Sequence, residues 1–371
     1  MSEATELWLD GRKTVPTDSQ TLSSLSRRSF LRRSAFTMAA AAAGPALLTA
    51  CGSDAAGSAD GQKVTFLSYL PLETLSLAPE LLAVAGGHFA RHGLDVTLQP
   101  VKGSPQAMQT LLAGSGIVTR LGQIDVMTAV AETGQPFVDI GTLTRGSSLR
   151  FVYSKRNRTL AKPEDFIGQT MGVPSEGGTS DKVVSLVLAN AGIDPKQTKR
   201  QVVGLTPGTF NLVQQGRIAG YVVSIDTANA VLAQNDDAGV YDPGQIVKSD
   251  SQVYVATKDG IQKNAETLKA FMAGIKDAVA AMVADNALDD TIKQLRSKYH
   301  FGTLDDDKVA KASLTTMRDL WTGADASKPL LVTDKTAWTA GYTELTTAGL
   351  AKTGGDAASW IDNSLLPGRP S

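Results

Sequence analysis

The chain has 371 residues, a formal net charge of −1, 42% hydrophobic and 20% charged residues. This composition is typical of a soluble globular protein, and the length allows two ordinary domains that need no disulfide or metal to brace them. Residues 1–50 contain six Lys and Arg and four Asp and Glu, so the remaining chain has 30 basic and 33 acidic residues, net −3, without the basic excess that nucleic-acid binding requires.

The first 50 residues have the pattern of a bacterial export signal. Arg27 and Arg28 precede an Ala-rich apolar run of roughly 15 residues, shorter than the ~20 residues of a lasting transmembrane helix. The run ends in Leu-Thr-Ala before Cys51, which resembles a lipobox, where the cysteine receives lipid and becomes the mature N terminus. The alternative is an ordinary Ala-rich helix followed by a chance cysteine. We predict a twin-arginine lipoprotein signal and lipidation of Cys51, followed by a flexible tether over 51–62.

Short strands then alternate with helices. The first series has predicted strands at 64–69, 94–98 and 137–143, and predicted helices at 77–91 and 106–113. A second series has a helix start at 163–166, strands at 170–173, 200–203 and 218–223, and helices at 179–190 and 208–215. Such alternation predicts an α/β fold with largely parallel sheets.

The rest of the chain predicts two further strands and then a helical end. The strands are expected at 245–247 and 252–257, and the helices at 265–285, 290–299, 306–321 and 335–350. We therefore expect one lobe from 63–150 with 250–371 and another from 151–249. Strands 150–154 and 252–257 would carry the chain out to the second lobe and back.

Several segments, in order and with consistent spacing, resemble the nitrate/sulfonate/taurine and thiamine-precursor binding proteins of ABC importers. They are 69–72, 83–96, 111–114, 130–136, 165–174, 175–180 and 212–220. The resemblance implies a type II periplasmic binding fold, with two doubly wound lobes, a two-strand hinge and a ligand cleft. It also implies a small polar or anionic ligand and an ABC permease as partner. We predict a monomer without a cofactor, anchored outside the cytoplasm by its lipid.

The strongest candidate for ligand contact is the glycine-rich segment between strand 170–173 and the next helix. Its candidate residues are Ser175, Gly177, Gly178, Thr179 and Ser180. Free N–H groups at a helix N terminus favour an anionic or polar group, and glycines allow the backbone to approach it closely. The alternative is a plain N-cap on an ordinary turn.

Four more candidates lie at predicted strand ends. Tyr69 would stack on the ligand or hydrogen-bond to it, or else belong to the core. Thr119 and Arg120 are expected just after a short strand, where Arg120 either pairs with a ligand anion or is a surface arginine. Asp226 either meets a ligand amine or caps the next helix. These strand ends are where α/β proteins bind ligands.

The sequence gives little support to an enzyme or a metal site. His88 and His92 are four residues apart, but no further ligand completes a metal set beside them. No nucleophile elbow or cofactor fingerprint follows residue 51, and a Cys-rich signature of enzymatic relatives that make a thiamine pyrimidine is absent there. We predict a binding protein; an exported enzyme on the same fold is the alternative.

Overall fold

The structure, a computed structural model, describes residues 61–323, 325 and 327–368. The predicted export signal with Arg27 and Arg28, the predicted lipidation residue Cys51 and nearly all of the predicted tether lie outside the described residues. Within those residues, every helix is too short or too polar to cross a membrane.

The strands of the described chain form two five-stranded sheets. In chain order they are β1 (Gln62–Ser68), β2 (Leu94–Pro100), β3 (Val118–Gly122), β4 (Phe137–Thr142), β5 (Leu149–Ser154), β6 (Thr170–Val173), β7 (Lys199–Val202), β8 (Gly220–Ser224), β9 (Ala238–Tyr241) and β10 (Gln252–Thr257). The first sheet has the order β2-β1-β3-β10-β4 and the second the order β7-β6-β8-β5-β9.

The two sheets have the same topology. In each, a first strand pairs in parallel with a second and a third, and one antiparallel strand lies beside the third. That antiparallel strand is β10 in the first sheet and β5 in the second. Each is the first strand after the chain crosses from one sheet to the other. The predicted α/β fold of two doubly wound lobes is confirmed, although the expected largely parallel sheets each contain this inserted strand.

Helices cover the faces of both sheets. The helices between strands are α1 (Ala78–Ala85), α2 (His88–Arg91), α3 (Gly103–Leu112), α4 (Gln123–Thr133), α5 (Thr179–Ala189), α6 (Phe210–Gln214) and α7 (Ile225–Gln234). We call β1–β4, β10 and α1–α4 the first lobe, and β5–β9 with α5–α7 the second lobe. The single helix predicted over 77–91 is wrong, because it is interrupted at Gly86 and Gly87, and Gly87 has a left-handed φ of 67°.

The described chain ends with α8 (Lys258–Ala284), α9 (Asp289–Arg296), α10 (Gly302–Asp305), α11 (Asp307–Thr322) and α12 (Lys335–Thr347). Helix α8 packs on α1 and α2, and Phe271 of α8 stacks on Phe66 and Phe89 with ring centroids 5.8 and 4.9 Å apart. Helix α11 instead packs against α7 of the second lobe, where Asn229 donates to Ser313 at 3.0 Å. The strand predicted at 245–247 is wrong, since a 3-10 turn over Pro243–Gln245 and irregular chain occupy that stretch.

Candidate functional site

A cavity of about 1510 Å³ lies between the two lobes. Residues that follow β1 and β2 line one side, and residues that follow β6 and β7 line the other. All four strands run parallel within their sheets, so the cavity opens at their carboxyl ends. This is where doubly wound α/β proteins place their ligands, because strands end and helices begin there. We call this cavity the cleft.

Polar side chains from the two chain crossings form the floor of the cleft. Gln252 Nε2 donates to Tyr69 Oη at 2.7 Å and to Ser148 Oγ at 2.8 Å. Ser147 Oγ donates to Asp250 Oδ2 at 2.5 Å. Ser147 and Ser148 precede β5, and Asp250 precedes β10, so most of the floor belongs to the segments that join the lobes; Tyr69 is added from the end of β1.

Burial raises the pKa of two floor residues. For the Tyr69 phenol, which is neutral at physiological pH even in water, the higher pKa makes ionisation still less favourable. Burial also raises the pKa of Asp250 to about 7, despite the hydrogen bond from Ser147. The Asp250 carboxyl is consequently able to change charge near neutral pH.

The glycine-rich segment predicted from sequence borders the cleft, as part of the turn into α5. Ser175, Thr179 and Ser180 line the cleft, whereas Gly177 and Gly178 do not. The first turn of α5 is already capped by the first lobe: the N–H and Oγ1 of Thr179 donate to Asp125 Oδ2 at 3.1 and 2.6 Å. The N–H of Thr179, the first residue of α5, is therefore bound by the protein itself.

Thr119 and Arg120 lie within β3, not after a strand as predicted, and neither lines the cleft. Arg120 and Glu80 are both 0% exposed and form an ion pair at 3.2 Å. Burial acts to lower the pKa of Arg120, but the carboxylate of Glu80 raises it, so the guanidinium stays charged. Thr119 Oγ1 donates to the carbonyl of Leu67 at 2.7 Å. Both side chains are thus bound within the first lobe.

Asp226 also lies outside the cleft lining, 1% exposed at the start of α7. Its carboxylate accepts hydrogen bonds from Thr74 Oγ1 at 3.1 Å, the N–H of Leu75 at 2.9 Å and Thr303 Oγ1 at 3.0 Å. It thereby caps the 3-10 turn Leu75–Leu77 of the first lobe, whereas the sequence suggested a cap on its own helix or a ligand contact.

His88, in α2, and His92, the C-terminal cap of this helix, both have protein partners. Nδ1 of His88 is 2.6 Å from Arg91 Nη2, and Nε2 of His92 is 2.8 Å from Asp277 Oδ2. No cluster of three or more His, Cys, Asp or Glu side chains able to hold a metal ion is found in the part of the chain that the structure describes.

Sequence reasoning missed the floor and its neighbours. Ser148, Asp250, Gln252 and Asp125 were not candidates, because no motif contains them. One signal was present: short polar runs at 147–148 and 248–251 immediately precede β5 and β10. Functional side chains are often found in the segments that connect regular elements.

Residues 75–287, more than half of the chain, match the family described as NMT1/THI5 like. The chain belongs to this family. Two characterised relatives are similar to this NMT1/THI5-like protein. The taurine-binding periplasmic protein of Escherichia coli (strain K12) is 28% identical over 220 residues, which cover 57% of this chain and 65% of that protein. The riboflavin-binding protein RibY of Chloroflexus aurantiacus is 24% identical over 321 residues, covering 83% and 87%.

A solved structure supports the fold of this NMT1/THI5-like protein. The alkanesulfonate-binding protein SsuA of Xanthomonas axonopodis pv. citri, bound to MOPS, aligns with a TM-score of 0.64 and 13% identity. The alignment covers 82% of this chain and 99% of that one. The two proteins share the two-lobed α/β architecture.

Proposed function

We propose that this NMT1/THI5-like protein is the solute-binding protein of an ABC importer and closes its two lobes around a small molecule. The observation that carries the proposal is the cleft at the carboxyl ends of strands from both lobes. A solute that touches both lobes only when they are closed shifts the equilibrium by its differential affinity, and an importer then recognises the closed shape. No chemical step is required.

We propose that Tyr69, Ser175, Thr179 and Ser180 contact the solute, since all four line the cleft. Arg120 and Asp226 bind protein groups instead: we assign Arg120, with Thr119, to the interior of the first lobe, and Asp226 to the contact between the lobes. We assign Gly177 and Gly178 to the turn that precedes α5. The relatives are named for taurine and for riboflavin, two solutes that differ greatly in size and charge.

We further propose that Arg27 and Arg28 direct twin-arginine export and that Cys51 carries the lipid, so that a monomer is held at the outer face of the cell membrane. In Cys51→Ser, we expect the protein to move from the membrane fraction to the soluble exported fraction. In Arg27→Lys/Arg28→Lys, we expect a full-length precursor to accumulate inside the cell. A membrane-bound Cys51→Ser protein that has lost its signal would contradict lipidation.

The binding function is tested by small-angle scattering and thermal melting with a panel of solutes that includes taurine and riboflavin. A solute at ~100 times its Kd should add about 2.7 kcal/mol to the free energy of unfolding, enough to raise the melting temperature visibly. The same solute should reduce the radius of gyration. A solute that raises the melting temperature without compaction would argue against the closing mechanism.

A further inference from the structure

Three groups near the cleft that are suited to hold an anion are each occupied by a carboxylate of the protein. The Arg120 guanidinium pairs with Glu80, with both side chains 0% exposed. The N–H and Oγ1 of Thr179, at the start of α5, donate to Asp125, to which Lys182 Nζ also donates at 2.9 Å. The backbone N–H of Leu75, after β1, donates to Asp226. A ligand anion would have to displace a buried carboxylate from each of these groups.

The lining of the cleft offers no compensating positive charge in its interior. Its ionisable acids and bases, all among the described residues, are Glu73, Lys102, Glu176, Asp250 and Asp306. Lys102 is the one base among them, and it is exposed, as are Glu73, Glu176 and Asp306. Asp250 is 3% exposed and is the one buried member. A small anion in the cleft would therefore face an excess of negative charge.

The cleft floor instead presents unused hydrogen-bond acceptors. Ser147 donates to Oδ2 of Asp250, and no described residue donates to Oδ1. Gln252 uses its Nε2 for Tyr69 and Ser148, and its Oε1 likewise receives no hydrogen bond from the described residues. Asp250 and Gln252 both line the cleft, so these two acceptor oxygens are available to N–H or O–H groups of a ligand.

The size and the walls of the cleft also bear on the ligand. About 1510 Å³ exceeds the roughly 300–1000 Å³ of an ordinary small-molecule pocket, so a ligand of a few heavy atoms would leave most of it to water. Leu149, Val203, Leu205, Pro207 and Phe301 line the cleft with apolar surface. Such walls favour the burial of a ring or another extended apolar body.

We propose that the cleft selects a neutral or cationic ring compound that carries N–H donors, with Asp250 as the residue that determines specificity, and that it rejects small anions such as taurine and nitrate. This inference rests on the proposed solute-binding function. The ligand N–H donates to Asp250 Oδ1, Gln252 Oε1 accepts a second hydrogen bond, and the apolar walls cover the ring.

The test compares two panels on the full chain by thermal melting and by titration calorimetry. The first contains riboflavin, a neutral ring system with an imide N–H, and 2,4-diaminopyrimidine, a basic ring with amino N–H groups. The second contains taurine and sodium nitrate at the same concentrations and above. We expect at least one member of the first panel, and neither member of the second, to bind.

Two isosteric variants then test Asp250 directly. Asp250→Asn should weaken binding of the first-panel compound by at least about tenfold, because a hydrogen bond to a charged group is replaced by one to a neutral amide. Asp139→Asn is the matched control: Asp139 is also buried, at 0% exposed against 3% for Asp250, burial also raises its pKa to about 7, and it lies outside the cleft. Its affinity should stay within about twofold of the wild type.

The outcomes separate the two proposals. Binding of taurine or nitrate without any binding of the ring compounds overturns this inference and leaves the solute-binding function in place. Equal loss of affinity in Asp250→Asn and Asp139→Asn, or none in either, removes Asp250 from its assigned role. No binding by either panel overturns this inference as stated and also counts against the solute-binding function.

Discussion

Asp125 and Asp226 occupy equivalent positions in the two lobes, and each caps the N-terminal turn of the opposite lobe. Asp125 lies in the first turn of α4, after the third strand of its sheet, and Asp226 lies in the first turn of α7, after the third strand of the other sheet. Asp125 binds the start of α5, and Asp226 binds the turn that begins at Leu75. The lobes are thus joined reciprocally by two buried carboxylates.

Removing these carboxylates should favour the open protein. In Asp125→Asn/Asp226→Asn, each capping amide retains one acceptor oxygen and loses its charge, so each cap loses about 1–3 kcal/mol. We expect a larger radius of gyration by small-angle scattering and weaker solute binding. Asp181→Asn is the control, because Asp181 binds Arg200 and Gly177 within the second lobe. A double variant as compact as the wild type would show that these caps do not hold the lobes together.

A substitution at Gly122 provides a second test of the contact between the lobes, because Gly122 lies against Thr179. A Cβ on Gly122 would collide with the side chain of Thr179, although its φ of −68° suits alanine. Gly122→Ala should therefore fold normally and fail to close, with a reduced solute affinity of about tenfold or more. Gly208→Ala, whose Cβ would meet nothing closer than 3.8 Å, is the control in the second lobe. Titration calorimetry measures the solute affinity, and small-angle scattering measures the closure of the lobes. If both are unchanged in Gly122→Ala, the contact between Gly122 and Thr179 is not needed for closure.

Removing one partner of the buried Glu80–Arg120 ion pair should lower the free energy of unfolding, because the other partner is left buried without a counter-charge. Glu80→Gln leaves the guanidinium buried without a counter-charge, and we expect a loss of about 3–5 kcal/mol in the free energy of unfolding, measured in urea. Asp259→Asn breaks the exposed pair with Lys263 and should cost less than about 1 kcal/mol. If both variants lose the same amount, the buried pair has no special role.

Asp139 should make stability depend on pH. Burial raises its pKa to about 7, so between about pH 4 and pH 7 the folded state holds a proton that the unfolded state has lost. The free energy of unfolding therefore falls as pH rises through this window and is flat above it. Asp250 contributes in the same direction.

Asp139→Asn replaces the protonated carboxyl with a neutral amide that can still accept from the Gly141 N–H. Thr333 Oγ1, which donates to Asp139 Oδ2 in the wild type, can instead accept from the amide N–H. We expect the variant to match the wild type near pH 4 and to exceed it at pH 8, by at most about 4 kcal/mol, because each tenfold change in proton affinity corresponds to about 1.4 kcal/mol. Urea unfolding at the two pH values measures this. If the free energy of unfolding falls by the same amount between pH 4 and pH 8 in the wild type and in Asp139→Asn, Asp139 is not the source of the pH dependence.

Local patterns in the sequence were sufficient for the secondary structure and the class of fold. Strand β6 begins and ends where predicted, at Thr170 and Val173, and α5 begins at the predicted Thr179. Hydrophobic alternation and turn-forming residues determine these features within a few residues of each position, so a single sequence carries them. The two series of alternating strands and helices likewise predicted two α/β lobes.

Partners that are distant along the chain were determined only by the tertiary structure. The sequence left Arg120 as either a ligand contact or a surface arginine, but the packing of α1 places Glu80, 40 residues away, beside it. Asp226 meets Leu75 across 151 residues, and Asp250 reaches the cleft floor because β10 inserts between β3 and β4. Whether a buried charge serves a ligand or the protein depends on which strands become neighbours, and no local pattern encodes that pairing.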